Sequence, residues 1–149
     1  MMYKKGFERE FICRTLALLE QYEQSSAINK YENTLFLNLC LGLLVIPKDA
    51  YGIQLKEALK DENIHNRCWG ITSRSSIVGS DGVYDVIRHL RNGIVHNHCE
   101  FLSIDNKTIT GIKIEDNYRI DDLFSATLTI KEFSDFVMSV IRFIIENIW

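Results

Sequence analysis

Apolar residues recur at helical spacing through the first part of the chain. The period predicts an amphipathic helix from Tyr3 to about Glu23. A second helix is expected from Glu32 to Ile46 and ends at Pro47, because proline donates no backbone hydrogen bond. Its apolar residues occupy almost every face of the helix, so we expect this helix at the centre of the core. A shorter helix is predicted around Gly52 to Lys60.

The pattern changes after Trp69. A segment rich in glycine and serine from Trp69 to Gly82 predicts a loop, and a helix from Gly82 to about Cys99 follows it. Residues Phe101 to about Leu128 alternate apolar and polar residues around turn signals, which is typical of a short β-hairpin or meander. The chain closes with a helix that begins at a Thr129–Glu132 capping box.

These elements predict a mainly α fold, a helical bundle with a short β-hairpin or meander before the C-terminal helix. The 149 residues are the length of one domain, so we expect a single domain over residues 1–149. No signal-peptide pattern opens the chain, and the apolar run Leu35 to Pro47 is shorter than the roughly 20 residues that cross a bilayer. We therefore expect a cytoplasmic protein with no membrane contact.

The net charge of −3 excludes a generally cationic surface, so any contact with nucleic acid must be local. One local cluster stands out, the stretch "DVIRHLRNGIVHNHCE" from Asp85 to Glu100. A helical wheel places an apolar stripe on one side, formed by Val83, Val86, Ile87, Leu90 and Ile94. The opposite, solvated side is predicted to carry Asp85, Arg88, His89, Asn92 and His96.

Two features favour a binding role over a merely solvated face. Arg88 and Arg91 lie one turn apart, with only Asp85 and Glu100 nearby in sequence to neutralise them, so this ridge should hold an anion. Gly93 is the other feature, since glycine inside a helix costs up to about 1 kcal/mol relative to alanine. A partner helix or a substrate backbone lying against Gly93 would account for it.

The run "RHLRNGIVHNH" resembles the signature of the HEPN superfamily (higher eukaryotes and prokaryotes nucleotide-binding), in which arginine is followed by a polar residue and then by histidine. Here these are Arg91, Asn92 and His96. The order of elements around the run is also similar to small bacterial, often plasmid-borne HEPN nucleases. The resemblance implies a homodimer with the two motif helices facing across a cleft, and a metal-independent ribonuclease activity without a cofactor.

The implied chemistry suits these residue types. Histidine can take the proton of a ribose 2′-hydroxyl at neutral pH, and arginine can stabilise charge on the phosphate oxygens. Arg91 and His96 are about 140° apart on a regular helix, so a dimer would have to place His96 of one chain beside Arg91 of the other. Arg91, Asn92 and His96 are thus the catalytic candidates, and Arg88, His89 and His98 are candidates for substrate binding.

Several alternatives stay open. His96, His98 and Cys99 lie close together, but their spacing is not that of a common zinc site, and we predict no metal. Cys99 is expected to be an inert thiol. A HEPN-like dimer that binds nucleotide, RNA or protein without cleavage is the main rival function. A toxin held by an antitoxin, or a phage-defence nuclease, would be a biological setting for the same chemistry.

Overall fold

The computed structural model of this protein describes residues 6–24, 32–72 and 76–149. Within these residues the helices are α1 (Phe7–Gln24), α2 (Glu32–Ala58), α3 (Val83–Val95) and α4 (Ile130–Asn147), with a 3-10 turn at Arg67–Trp69. The strands are β1 (Ser76–Val78), β2 (Cys99–Ser103), β3 (Ile109–Asp116) and β4 (Phe124–Thr129).

The prediction of a mainly α bundle is wrong, because the described residues form a mixed α/β fold. The four strands make one antiparallel sheet in the order β1-β4-β3-β2. The predicted hairpin or meander corresponds to β2, β3 and β4, and β1 lies in the segment that was predicted to be a loop. Ser76, Ile77 and Val78 pair with Thr127, Ala126 and Ser125. Three residues are too few for a period to show, so their pairing with a distant strand decides their structure.

The helices stack on the sheet in layers. Both α3 and α4 contact the sheet, α2 packs against both of them, and α1 packs on α2. The core lies between these layers, and its largest fully buried side chains include Phe124, Phe133, Phe136, Leu43, Leu55 and Ile87. This arrangement clamps α3 between α2 and β3, which holds the motif helix in place on two sides.

The start of α4 confirms the predicted capping box. The Thr129 hydroxyl accepts a hydrogen bond from the Glu132 amide, and the Glu132 carboxylate accepts one from the Thr129 amide. Glu132 is 4% exposed, and its carboxylate also accepts a hydrogen bond from the Thr72 hydroxyl. The cap thus fixes the direction in which the chain leaves β4.

The first two helices differ from their predicted bounds. The predicted start of α1 at Tyr3 lies outside the described residues. The predicted end of the second helix at Pro47 is wrong, because helical geometry continues past the proline to a break at Tyr51 (φ −118°, ψ 18°). The part of α2 after this break, which ends at Ala58, corresponds to the short helix predicted around Gly52 to Lys60. Burial of Leu43 before the kink and of Leu55 after it holds both halves against the core despite the lost hydrogen bond. No described helix combines the length and hydropathy that crossing a bilayer demands.

Candidate functional site

Helix α3 docks on β3 through the apolar stripe that its sequence predicts. Val83, Val86, Ile87 and Leu90 are fully buried. Gly93 is also buried, and a Cβ on it would lie 2.4 Å from Ile114 Cγ2 and 2.7 Å from the Glu115 carbonyl oxygen. The close neighbour of Gly93 is therefore a strand of the same chain, and neither a partner helix nor a substrate is needed to explain it.

The helix ends earlier than predicted, at Val95. His96 is its C-cap, and Asn97 adopts a left-handed backbone (φ 60°). The Asn97 amide donates to the Ile94 carbonyl and the His98 amide to the Gly93 carbonyl, which together form a Schellman motif. His98 consequently lies beyond the helix, one residue before β2.

The side chains of His96 and His98 are exposed at this helix end. Their rings lie 6.5 Å apart between centroids, at 43° to each other. Among the described residues, no hydrogen bond or ion pair engages the His96 imidazole. It is therefore accessible to solvent and to a ligand.

His89 is 1% exposed, so its predicted place on the solvated side is wrong. Its ring stacks on Phe124 of β4 at 4.6 Å between centroids, and its Nδ1 lies 2.9 Å from Asp116 Oδ2. Its Nε2 lies 3.0 Å from Arg88 Nη2 and 3.3 Å from Asp122 Oδ1, so charged side chains face both ring nitrogens. Substrate binding by His89 would require an exposed imidazole, and this ring is buried.

Asn92 shares its acceptor with His89. Its Nδ2 donates to Asp116 Oδ2 at 3.0 Å, so one carboxylate oxygen receives bonds from two side chains of α3. Burial by itself raises the pKa of Asp116, but the hydrogen bonds from His89 and Asn92 and the nearby positive charge outweigh it, and the net pKa is lowered. Asp116 is thus an ionised anchor for α3 at neutral pH.

Arg88 lies on the solvent side of His89. Its Nη1 donates to Asp122 Oδ2 at 3.0 Å and its Nε donates to Asp85 Oδ1 at 3.3 Å. Burial opposes the charged form of Arg88, but the hydrogen bonds and charges of the two aspartates raise its pKa overall. The hydrogen bond from Arg88 in turn lowers the pKa of Asp122. As an anion binder, Arg88 would first have to leave two carboxylates.

Arg91 is anchored to α2. Its Nη2 donates to Asp49 Oδ2 at 3.0 Å. Its Nε lies 3.0 Å from Asp49 Oδ1 without hydrogen-bond geometry. The side chain is 24% exposed, and its Nη1 donates to Asn92 Oδ1 at 3.3 Å. The guanidinium is therefore neutralised by a residue outside its own helix, which the sequence interpretation did not foresee.

The structure brings two of the three motif residues together. Arg91 and Asn92 are in direct contact, whereas, within the part of the chain that the structure describes, no hydrogen bond joins His96 to either of them. The regular helix ends at Val95, and His96 follows it as the C-cap. The angle of about 140° expected between Arg91 and His96 on a regular helix therefore does not describe the position of His96. The arrangement offers an accessible imidazole at the helix end and a guanidinium that is paired with Asp49.

The described residues contain no group of three or more His, Cys, Asp or Glu side chains that could hold a metal ion. Burial raises the pKa of the Cys99 thiol, which disfavours the nucleophilic thiolate.

Sequence analysis missed three partners of the motif helix, Asp49, Asp116 and Asp122. Asp116 precedes an asparagine and so forms one of the turn signals in the alternating segment, and no local pattern distinguishes the other two from surface carboxylates. Their role depends on α2 and the sheet packing around α3, which a helical wheel does not include.

The comparisons with known proteins address the whole chain. No curated protein and no solved structure gave a significant match. A family model described as HEPN pEK499 p136 matches residues 1–148. This match spans the motif helix, both helices before it and the sheet and helix after it, which confirms the resemblance to the HEPN superfamily, and the chain therefore belongs to the HEPN pEK499 p136 family.

Proposed function

We propose that this protein is a metal-independent endoribonuclease that acts as a homodimer. The observation that carries the proposal is the division of roles on α3. Arg91 and Asn92 have their polar groups fixed by Asp49 and Asp116, while the His96 imidazole is exposed at the helix end. A fixed phosphate binder beside an accessible proton acceptor suits RNA transesterification.

In this mechanism His96 takes the proton of a ribose 2′-hydroxyl. The 2′-oxygen attacks the adjacent phosphorus, the bond to the 5′-oxygen breaks, and that oxygen leaves with a proton from a protonated histidine or water. The products are a 2′,3′-cyclic phosphate and a free 5′-hydroxyl. Arg91 stabilises the charge that builds up on the phosphate oxygens, and Asn92 orients the phosphate or the imidazole. The second chain of the dimer supplies the His96 that one chain does not place beside its own Arg91.

The test is an RNA cleavage assay in EDTA with native protein, His96→Ala and a matched control, His65→Ala. His65 is also an exposed histidine, but it lies outside the motif helix. Loss of a general base lowers the rate about 100-fold or more, so His96→Ala should lose cyclic-phosphate products while His65→Ala keeps them. Cleavage that stops on addition of EDTA, or that survives in His96→Ala, would contradict the proposal.

A second function, binding of nucleotide, RNA or protein without cleavage, is favoured by the ion pair between Arg91 and Asp49. A guanidinium that already has a carboxylate partner is a weaker phosphate ligand than a free one. RNA binding by native protein without any cleavage, across varied single-stranded RNAs, would support this alternative. We also propose that an antitoxin protein binds and inhibits this protein in the cell. Co-purification with the product of a neighbouring gene would test this.

A further inference from the structure

The kink in α2 opens a groove beside the motif helix. Pro47 lacks the N–H that would continue the helical ladder, and four residues later Tyr51 leaves helical geometry. The groove at this bend, called the kink groove below, has a volume of about 640 Å³. Its lining includes Lys48, Asp49, Ile53, Gln54 and Lys56 from α2 and Tyr84 from α3.

The kink groove carries unpaired positive charge. Among the described residues, neither the Lys48 nor the Lys56 ammonium has a carboxylate within ion-pair distance. A Cβ on Gly52 would lie 4.0 Å from Lys48 Nζ, so this ammonium lies over bare backbone. The acidic residue in the lining, Asp49, is already neutralised by Arg91. Two free cations in one groove of a chain with a net charge of −3 favour an anionic ligand.

The groove also leads directly to the motif. Tyr84 and Arg91 are seven residues apart on α3, which places them on the same face about two turns from each other. Asp49 belongs to the groove lining and also binds Arg91. The half-buried ring of Tyr84 and the exposed side chain of Ile53 add apolar contact surface next to the two lysines. Cations that follow a backbone, with an aromatic face between them, are typical of sites for single-stranded nucleic acid.

We propose that the kink groove binds the single-stranded RNA that flanks the phosphate held at Arg91. Lys48 and Lys56 contact backbone phosphates, and a base stacks on Tyr84. This inference rests on the proposed ribonuclease function for its substrate. It adds a binding subsite, built from α2 and the first turn of α3, to the three motif residues.

The experiment measures binding of a fluorescent single-stranded 2′-O-methyl oligoribonucleotide by anisotropy in EDTA, as a function of salt. The methyl group removes the nucleophile, so binding is measured without cleavage. The groove variant carries Lys48→Gln and Lys56→Gln. The control carries Lys107→Gln and Lys131→Gln, which remove the same charge from exposed positions outside the groove.

Each phosphate contact contributes about −0.7 to the slope of log K against log salt for a single strand. The groove variant should lose about 1.4 units of slope, which corresponds to about 60-fold weaker binding near 50 mM salt if the affinities meet at about 1 M salt, while the control stays within about twofold of the native protein. Tyr84→Leu should weaken binding about tenfold by removing the stacking face, and Tyr84→Phe should restore it.

Three results would overturn the groove: no binding by native protein, equal losses in the groove and control variants, or an unchanged salt slope in the groove variant. Urea unfolding of each variant shows whether its binding loss reflects lost structure. Cleavage of unmethylated RNA in parallel separates the two proposals. RNA binding that depends on the groove lysines, without any cleavage, would support the binding groove and contradict the ribonuclease function. Cleavage that requires His96 but not the groove lysines would support the ribonuclease function and contradict the binding groove.

Discussion

Replacing Asp116 should destabilise the protein more than replacing any other carboxylate around α3. Its Oδ2 accepts from the buried His89 and from Asn92, and its own side chain is 10% exposed. Hydrogen bonds to a charged group contribute about 1.5–3 kcal/mol each, and here both end on a single oxygen, so Asp116→Ala should lose about 3 kcal/mol. Asp116→Asn keeps an oxygen acceptor and loses only the charge, so about 1 kcal/mol is expected.

The measurement is urea unfolding followed by tryptophan fluorescence, at one protein concentration because the stability of the proposed dimer depends on it. Asp122→Asn is the control, since Asp122 touches the same His89 from the solvent side with a side chain that is 34% exposed. Its loss should be clearly smaller than that of Asp116→Ala. A loss below about 1 kcal/mol in Asp116→Ala, with the slope against urea unchanged, would refute the reasoning that His89 and Asn92 depend on this oxygen.

The same carboxylate gives a pH dependence with a defined sign. Burial raises the pKa of Asp116, but its hydrogen-bond donors hold it below the ordinary 3.8. A group with a lowered folded-state pKa stabilises the protein above its unfolded pKa and loses that contribution as the pH falls through the folded value. Native protein should therefore lose stability more steeply than Asp116→Asn below about pH 4, and the two should run parallel at neutral pH.

Three further predictions concern neighbouring positions. Gly93→Ala should cost about 2 kcal/mol or more in urea unfolding because its Cβ would overlap β3. Gly52→Ala, whose Cβ would meet only Lys48 Nζ at 4.0 Å, should be neutral or stabilising, and equal effects of the two changes would contradict the close approach at Gly93. Iodoacetamide labelling mapped by mass spectrometry should find Cys40, with a pKa raised to about 12 by burial, and Cys99 slower than the two exposed cysteines; fast labelling of Cys40 would contradict its burial. Asp49→Asn should remove the carboxylate that neutralises Arg91 and tighten oligonucleotide binding several-fold by anisotropy, while RNA cleavage falls because Arg91 is no longer held in place; unchanged binding would contradict the neutralising role of Asp49.

Local signals in the sequence predicted local structure well. The capping box at Thr129 was confirmed because its two hydrogen bonds join residues three apart. The early end of α3 had a local signal too, because asparagine is one of the few residue types that readily adopt the left-handed C′ conformation seen at Asn97. The predicted helix end at about Cys99 did not take this signal into account. The bend at the kink groove had a partial local signal, because Pro47 predicted an interruption a few residues before the one at Tyr51, but the sequence did not show that α2 resumes beyond it on the same core.

Long-range partners decided the rest. Asp116 and Asp49 lie 24 and 42 residues from the side chains that they bind, so no window of the sequence contains both members of either pair. His89 sits at the edge of the polar side of the wheel, and its burial depends on Phe124 and Asp116 from the sheet. Resemblance to a family selected Arg91, Asn92 and His96, whereas the carboxylates that hold the first two required the fold.

The shared oxygen of Asp116 also sets an order of events during synthesis. A ribosome makes α3 before β3 and β4, and until those strands emerge Asn92 and His89 have no acceptor and Gly93 has no strand to pack against. The nascent chain therefore carries the motif on a helix that α2 contacts on one side and that no strand yet holds on the other. Under the proposed ribonuclease function, this delay keeps the assembled site away from the message that encodes it until β3 and β4 have been translated.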